Sequence, residues 1–157
     1  MYPVPTNITT EVYTRLPDRF RIADRKTNWV AARQHASVTC FLEGPSVDRA
    51  GNLYCTDIPY GRIFRISPDR EWHLVTEYDG EPNGLKIHRD GRLFVTDHRR
   101  GLIIVDPETG AVTPLLDRAF TEGFRGVNDL HFARNGDIYF TDQGQSGLQD
   151  PSGRVYK

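Results

Sequence analysis

Short runs of alternating apolar and polar residues recur in this chain at fixed intervals. Three stretches align without a gap: Glu43–Asp57 (EGPSVDRAGNLYCTD), Asn83–Asp97 (NGLKIHRDGRLFVTD) and Asn128–Asp142 (NDLHFARNGDIYFTD). Their starts lie 40 and then 45 residues apart. Each reads as two strands rich in Val, Ile, Phe and Tyr around a tight turn. The turns are Asp48-Arg49-Ala50-Gly51, His88-Arg89-Asp90-Gly91 and Arg134-Asn135-Gly136. A glycine in the same place each time supplies the positive φ that a hairpin turn requires.

A third strand is predicted at Arg62–Ile66 and at Leu102–Asp106, and a fourth near Trp72–Thr76 and near Ala111–Leu116. Ser67-Pro68-Asp69 and Pro107-Glu108-Thr109-Gly110 punctuate them as turns. Four antiparallel strands in about 40–45 residues is the size of one β-propeller blade. The pattern therefore predicts an all-β chain of about three propeller blades, at 43–82, 83–127 and 128–157. It is preceded by an N-terminal segment, 1–42, in which Glu11–Leu16 (EVYTRL) alternates like a ring-closing strand. The third unit reaches only Gly153-Arg154-Val155-Tyr156-Lys157, which corresponds to Gly61-Arg62-Ile63-Phe64-Arg65 in the middle of a third strand. The expectation is a partial propeller whose partner is a missing C-terminal half.

Charge narrows the function. With 20 Lys and Arg against 21 Asp and Glu, net charge −1, the chain lacks the basic field that nucleic acid or an anionic membrane attracts. It has no apolar run of about 20 residues and no basic-then-apolar leader at its start. Cys40 and Cys55 have no metal-ligand spacing and read as free thiols of a cytoplasmic protein. There is no Gly-x-Ser-x-Gly elbow, phosphate loop or His-Glu-x-x-His motif.

Propeller topology places side chains. The first strand of each blade lines the central channel, so Glu43, Asn83 and Asn128 are expected to converge at one end of it. One carboxylate and two amide oxygens form a hard-oxygen set suited to Ca²⁺, with Mg²⁺ or Mn²⁺ as alternatives. The competing reading makes the two Asn turn residues and Glu43 an exposed acid. Loops after the second strands face the same opening, which nominates Tyr60, His98 and Gln143 as substrate-lining residues. The long loop from Asp142 to Gly153 resembles a functional loop over a site. The Thr-Asp pairs at 56–57, 96–97 and 141–142 occur in every unit and read as structural acceptors that fix loops.

Phe41-Leu42-Glu43-Gly44-Pro45, Pro82-Asn83-Gly84-Leu85, Gly126-Val127-Asn128-Asp129-Leu130 and Tyr139-Phe140-Thr141-Asp142-Gln143-Gly144 together resemble the gluconolactonase, regucalcin and luciferin-regenerating enzyme family. The resemblance covers Phe41 to Lys157. It implies a six-bladed propeller with one divalent metal in the channel, Ca²⁺ first and Zn²⁺ among the alternatives. It further implies hydrolysis of a small-molecule lactone. Glu43 and Asn128 match metal ligands, and Asn83 matches a residue that contacts substrate or metal. The family's proposed general base, an Asp of a later blade, falls beyond Lys157, so no catalytic residue is assigned and the chain alone is expected to be inactive. Sugar-lactone members carry Arg two residues before the Asn83 position, where this chain has Glu81. Two other functions fit the same fold: a propeller that binds a protein or peptide, and a calcium-binding regulatory protein without turnover.

Overall fold

The computed structural model describes residues 3–33, 38–144 and 146–157. Three sheets follow one another along the chain. The first has strands β1 (Leu42–Val47), β2 (Leu53–Asp57), β3 (Arg62–Ile66) and β4 (Trp72–Glu77), in that spatial order and antiparallel throughout. The second repeats it with β5 (Pro82–Ile87), β6 (Leu93–Asp97), β7 (Gly101–Val105) and β8 (Val112–Leu116). A two-stranded hairpin, β9 (Arg118–Ala119) and β10 (Glu122–Gly123), intervenes and accounts for the longer second interval. The third sheet has β11 (Val127–Phe132), β12 (Ile138–Asp142) and β13 (Arg154–Tyr156).

β5 packs against β1 on one side and β11 on the other. The first strands of successive sheets are thus neighbours, which is how propeller blades are arranged around an axis. The turns behave as their sequence requires: Gly51, Gly91 and Gly136 have φ of 86°, 93° and 92°. Asp48 also accepts from the backbone N–H groups of Ala50 and Asn52, which locks the first turn.

The core lies between sheets. Tyr54 and Ile63 of the first meet Leu85, Leu93, Val95, Ile103 and Val105 of the second. Phe94 and Leu102 meet Val127, Leu130 and Phe140 of the third. Middle strands such as β6 are buried on both faces and read as continuous apolar runs, whereas β8 is largely exposed.

The N-terminal segment runs over the first sheet. Glu11–Leu16 forms no strand. Instead it lies against the free face of the first sheet, where Leu16 is buried with Phe64, Ile66, Trp72 and Cys55. The Trp72 indole donates to Thr14 Oγ1 at 3.1 Å. Val12 stays largely exposed and Pro17 interrupts the run, so one apolar residue anchors the segment in place of a paired ladder. Of this segment, residues 1–2 and 34–37 lie outside those described, as does Gln145 in the long loop.

The Thr-Asp pairs form a repeated brace. Each Asp accepts a backbone N–H from just ahead of its own sheet's first strand: Asp57 from Phe41 (2.7 Å), Asp97 from Glu81 (2.9 Å) and Asp142 from Arg125 (3.0 Å). Each of the first two Thr hydroxyls donates to a carbonyl of the next sheet, Thr56 to Asn83 (2.7 Å) and Thr96 to Asn128 (2.6 Å). Asp57 also pairs with Arg62, and both are buried. Burial pushes the Asp57 carboxyl up, while the Phe41 N–H and the Arg62 guanidinium oppose the shift.

Removing Arg62 leaves that carboxylate buried and half-partnered. Arg62→Met is expected to lower stability by about 3–5 kcal/mol, read as a shift in the urea unfolding midpoint. Burial pushes the Cys55 thiol up to about 12. At pH 8 its thiolate fraction is then about 10⁻⁴. Alkylation at that pH should spare Cys55 in the folded chain and modify it in urea, as peptide mass mapping will show.

Candidate functional site

The site is built at the entrance of the first strands. In each sheet the pairing of first and second strands slips by one residue near the start of the first strand. The slip falls between Glu43 and Ser46, between Pro82 and Leu85, and between Val127 and Leu130. In each case three steps on the inner strand oppose two on its partner, which is a β-bulge. Bulges bend a strand and re-aim its side chains. Asn83 and Asn128 lie inside their bulges, and Glu43 is the last paired residue before its own.

The close approach at these bulges has a steric cause. Gly44 has φ of 57°, and a Cβ there would stand 2.5 Å from the Asn83 carbonyl oxygen. A glycine therefore lets the backbones of the first two sheets meet directly beside Glu43 and Asn83. The Thr56 and Thr96 hydroxyls then hold the carbonyls of Asn83 and Asn128 from the preceding sheet. The backbone of both amide-bearing residues is fixed, and their side chains are left to the opening.

Glu43, Asn83, Asn128, His98 and Gln143 line one cavity of about 840 Å³. Five of the six residues nominated from the sequence are thus brought together. Tyr60 is not. The turn Ile58–Tyr60 closes at the left-handed Gly61 and folds the ring inward. The Tyr60 hydroxyl donates to the Val38 carbonyl, with the Ile22 carbonyl 3.2 Å away, beneath the N-terminal segment. Its buried ring borders a separate cavity of about 560 Å³. The expected substrate-lining position for Tyr60 is therefore corrected: its hydroxyl is already committed to the main chain.

The cavity also has walls that sequence reasoning missed. The N-terminal segment contributes the short helix α1 (Asn28–Ala31), capped by Thr27, whose hydroxyl accepts from Val30 N–H. Trp29 of α1 packs on Phe41 with ring centroids 5.1 Å apart, and the Arg33 guanidinium rests 3.4 Å over the Trp29 ring. Ile58, Glu81 and Arg99 complete the lining. His98 is held from both sides: its N–H donates to the Glu81 carbonyl at 3.0 Å, and its ring lies against Gly126.

The side chains of Glu43, Asn83 and Asn128 form no hydrogen bond or ion pair among the described residues. All three are half-buried. Their oxygens are thus available to a ligand. Among the described residues no three His, Cys, Asp or Glu side chains gather. A cation here would rely on one carboxylate and amide oxygens, a set that fits a hard ion and not a zinc centre.

A model of the SMP-30/gluconolactonase/LRE-like region matches residues 41–157. The chain belongs to this family. A lactonase, drp35, from Staphylococcus aureus is 33% identical over 123 residues, covering 73% of this chain and 37% of the relative. The chain thus spans well under half the length of that relative. Among solved structures, a gluconolactonase from Xanthomonas campestris superposes with a TM-score of 0.62 at 26% identity, over 67% of this chain and 36% of the other. Virginiamycin B lyase from Staphylococcus aureus superposes with a TM-score of 0.53 at 20% identity, over 74% and 41%, which speaks for the fold alone. This member of the SMP-30/gluconolactonase/LRE-like family therefore has β-propeller architecture, and its matched region includes all six residues that were expected in the cavity.

Gly44→Ala tests the construction of the site. It should cost about 1–3 kcal/mol through strain at positive φ and collision with the Asn83 carbonyl. Thermal unfolding will report the loss, and NMR shifts of the Asn83 side-chain amide should move with it.

Proposed function

We propose that this chain forms the cation- and substrate-binding part of a site that hydrolyses a lactone or related carboxylic ester, with Ca²⁺ as the cation. The observation that carries the reading is the convergence of Glu43, Asn83 and Asn128 on one cavity at the three bulges. The drp35 lactonase and the gluconolactonase structure support the substrate class.

Glu43 and Asn128 would hold the ion, and Asn83 would orient it or the substrate. When bound, a divalent ion supplies Lewis-acid polarisation of the ester carbonyl and stabilises developing negative charge on its oxygen. The chain's own residues contribute position. Thr56 and Thr96 fix the backbone of the two Asn residues. Trp29 and Phe41 give the cavity an apolar wall that keeps bulk water from one side of a small ring. His98 and Gln143 offer hydrogen-bonding groups to the ring substituents. The carboxylate that would activate water is assigned to no residue of this chain. Its expected source is a later blade, so the chain by itself is expected to bind the ion without efficient turnover.

A cytoplasmic setting accompanies the proposal, supported by the free thiols of Cys40 and Cys55. Among the described residues no helix is long and apolar enough to cross a membrane.

The test is calorimetric. Titration of the chain with CaCl₂ should give one site, and Glu43→Gln should weaken it by about tenfold or more, because the one charged ligand is lost. Asn128→Ala should weaken it less. Undiminished Ca²⁺ binding by Glu43→Gln would sink the cation assignment. The lactonase assignment is tested separately, with a pH-stat assay over several lactones. Adding blades from a family relative to this chain should raise turnover in the presence of Ca²⁺.

A further inference from the structure

The cavity contains a charged group that the proposed ion site does not use. Glu81 immediately precedes β5, and its backbone is held at both ends. Its N–H donates to Asp97 Oδ2 at 2.9 Å, and its carbonyl accepts from His98 N–H at 3.0 Å. The residue is 9% exposed and lines the cavity. Its carboxylate forms no hydrogen bond or ion pair among the described residues.

The two cations of the lining are engaged elsewhere. Arg99 feels the Glu81 charge, yet it hydrogen-bonds to Asp79 at 2.6 Å. Arg33 rests on the Trp29 ring and donates to the Trp29 carbonyl at 3.1 Å. Neither carboxylate oxygen is sealed from solvent, so the unpaired charge is open to a partner that enters from the cavity. Glu81 also borders the smaller cavity, but Arg25, Lys26 and Arg99 line that one, so a cationic partner is expected from the larger.

We propose that Glu81 is a recognition carboxylate for an ammonium group on the substrate, which makes the preferred substrate an amino-substituted lactone. Two features favour an organic cation over a second metal ion. Hard divalent ions gather several oxygen ligands, whereas among the described residues no three His, Cys, Asp or Glu side chains gather at Glu81. Trp29 and Phe41 line the same cavity, and aromatic faces attract organic cations. The Arg33 guanidinium already lies on Trp29 in this way. The lactone ring in this inference rests on the proposed function; the charge preference does not.

The experiment therefore reads binding, not turnover. Lactams keep the ring and carbonyl but resist hydrolysis. Protonated 3-amino-2-pyrrolidinone and neutral 2-pyrrolidinone are titrated into the full chain and followed by NMR. The charged lactam is expected to bind about tenfold more tightly, as a charge-assisted hydrogen bond requires. The preference should vanish in Glu81→Gln and as pH rises past deprotonation of the ligand amine. Glu81→Lys should instead favour pyroglutamate, the carboxylated lactam. Equal affinities for wild-type protein, no binding of either lactam, or a preference that survives in Glu81→Gln would each overturn the proposal. The wild-type comparison across pH decides the matter even where a variant does not fold. A lactam preference with no lactone turnover in any context would overturn the hydrolase reading and leave this one standing.

Discussion

Everything at this site depends on a brace between neighbouring sheets. A threonine hydroxyl at the end of one second strand donates to the carbonyl of the residue that opens the next first strand. The aspartate beside it takes the N–H of the segment leading into its own first strand. These polar groups are buried, so leaving them unpaired would be costly, and that cost fixes the register of each sheet on the next. With the main chain of Asn83 and Asn128 held from behind, their amides are free to face the cavity. A repeated structural device thus positions residues that are not repeated in chemistry: Glu in the first sheet, Asn in the second and third.

The repeat made most of the fold legible. Hairpin glycines, strand-end Thr-Asp pairs and apolar second strands recur in one frame, and the sheets follow them to within a residue or so. The third strand of the second sheet starts at Gly101, one residue ahead of the pattern, because Gly101 still pairs with Asp97. The bulges were not legible. A one-residue slip leaves the count of residues in the repeat unchanged in all three units, so nothing in an alignment of the units marks it. Its sequence trace is the small residue after the site residue, Gly44 and Gly84, and the third unit lacks even that, having Asp129.

Non-repeated parts were the hardest to read. Glu11–Leu16 alternates like a strand, but alternation specifies a strand only where an edge stands ready to pair with it. Within this chain one buried leucine and the Thr14–Trp72 hydrogen bond hold the segment to the first sheet. The same segment then brings α1 over the cavity, where Trp29 and Arg33 become part of its wall. No local signal in the four residues of α1 announces that role. Tyr60 illustrates the converse error. Its position in a loop on the correct face suggested a substrate contact, yet the Pro59–Gly61 turn sends the ring toward backbone carbonyls that need a donor.

The three aspartates show how far a repeated residue can be adapted. Asp57 satisfies its second oxygen with Arg62, its partner across the β2–β3 ladder. Asp97 has no arginine at the matching position, where Leu102 follows Gly101. It recruits the Tyr78 hydroxyl and the N–H groups of Arg99 and Arg100 instead. Burial and the Asp97 charge push the Tyr78 hydroxyl well above its ordinary pKa, so it remains a donor across the physiological range. Asp142 faces Arg154 across the ladder as Asp57 faces Arg62, yet Arg154 reaches Glu122 at 2.9 Å and one buried Asp142 oxygen has no partner among the described residues. The difference follows from what surrounds each arginine. Arg62 is buried under the N-terminal segment and also donates to the Phe20 carbonyl, so water cannot compete for it. Arg154 lies on β13, the outermost strand described in its sheet, and pairs with Glu122 in solvent. The buried Asp57–Arg62 pair is thus held by what covers it: the Phe20 carbonyl and the N-terminal segment keep the arginine out of water and beside the carboxylate.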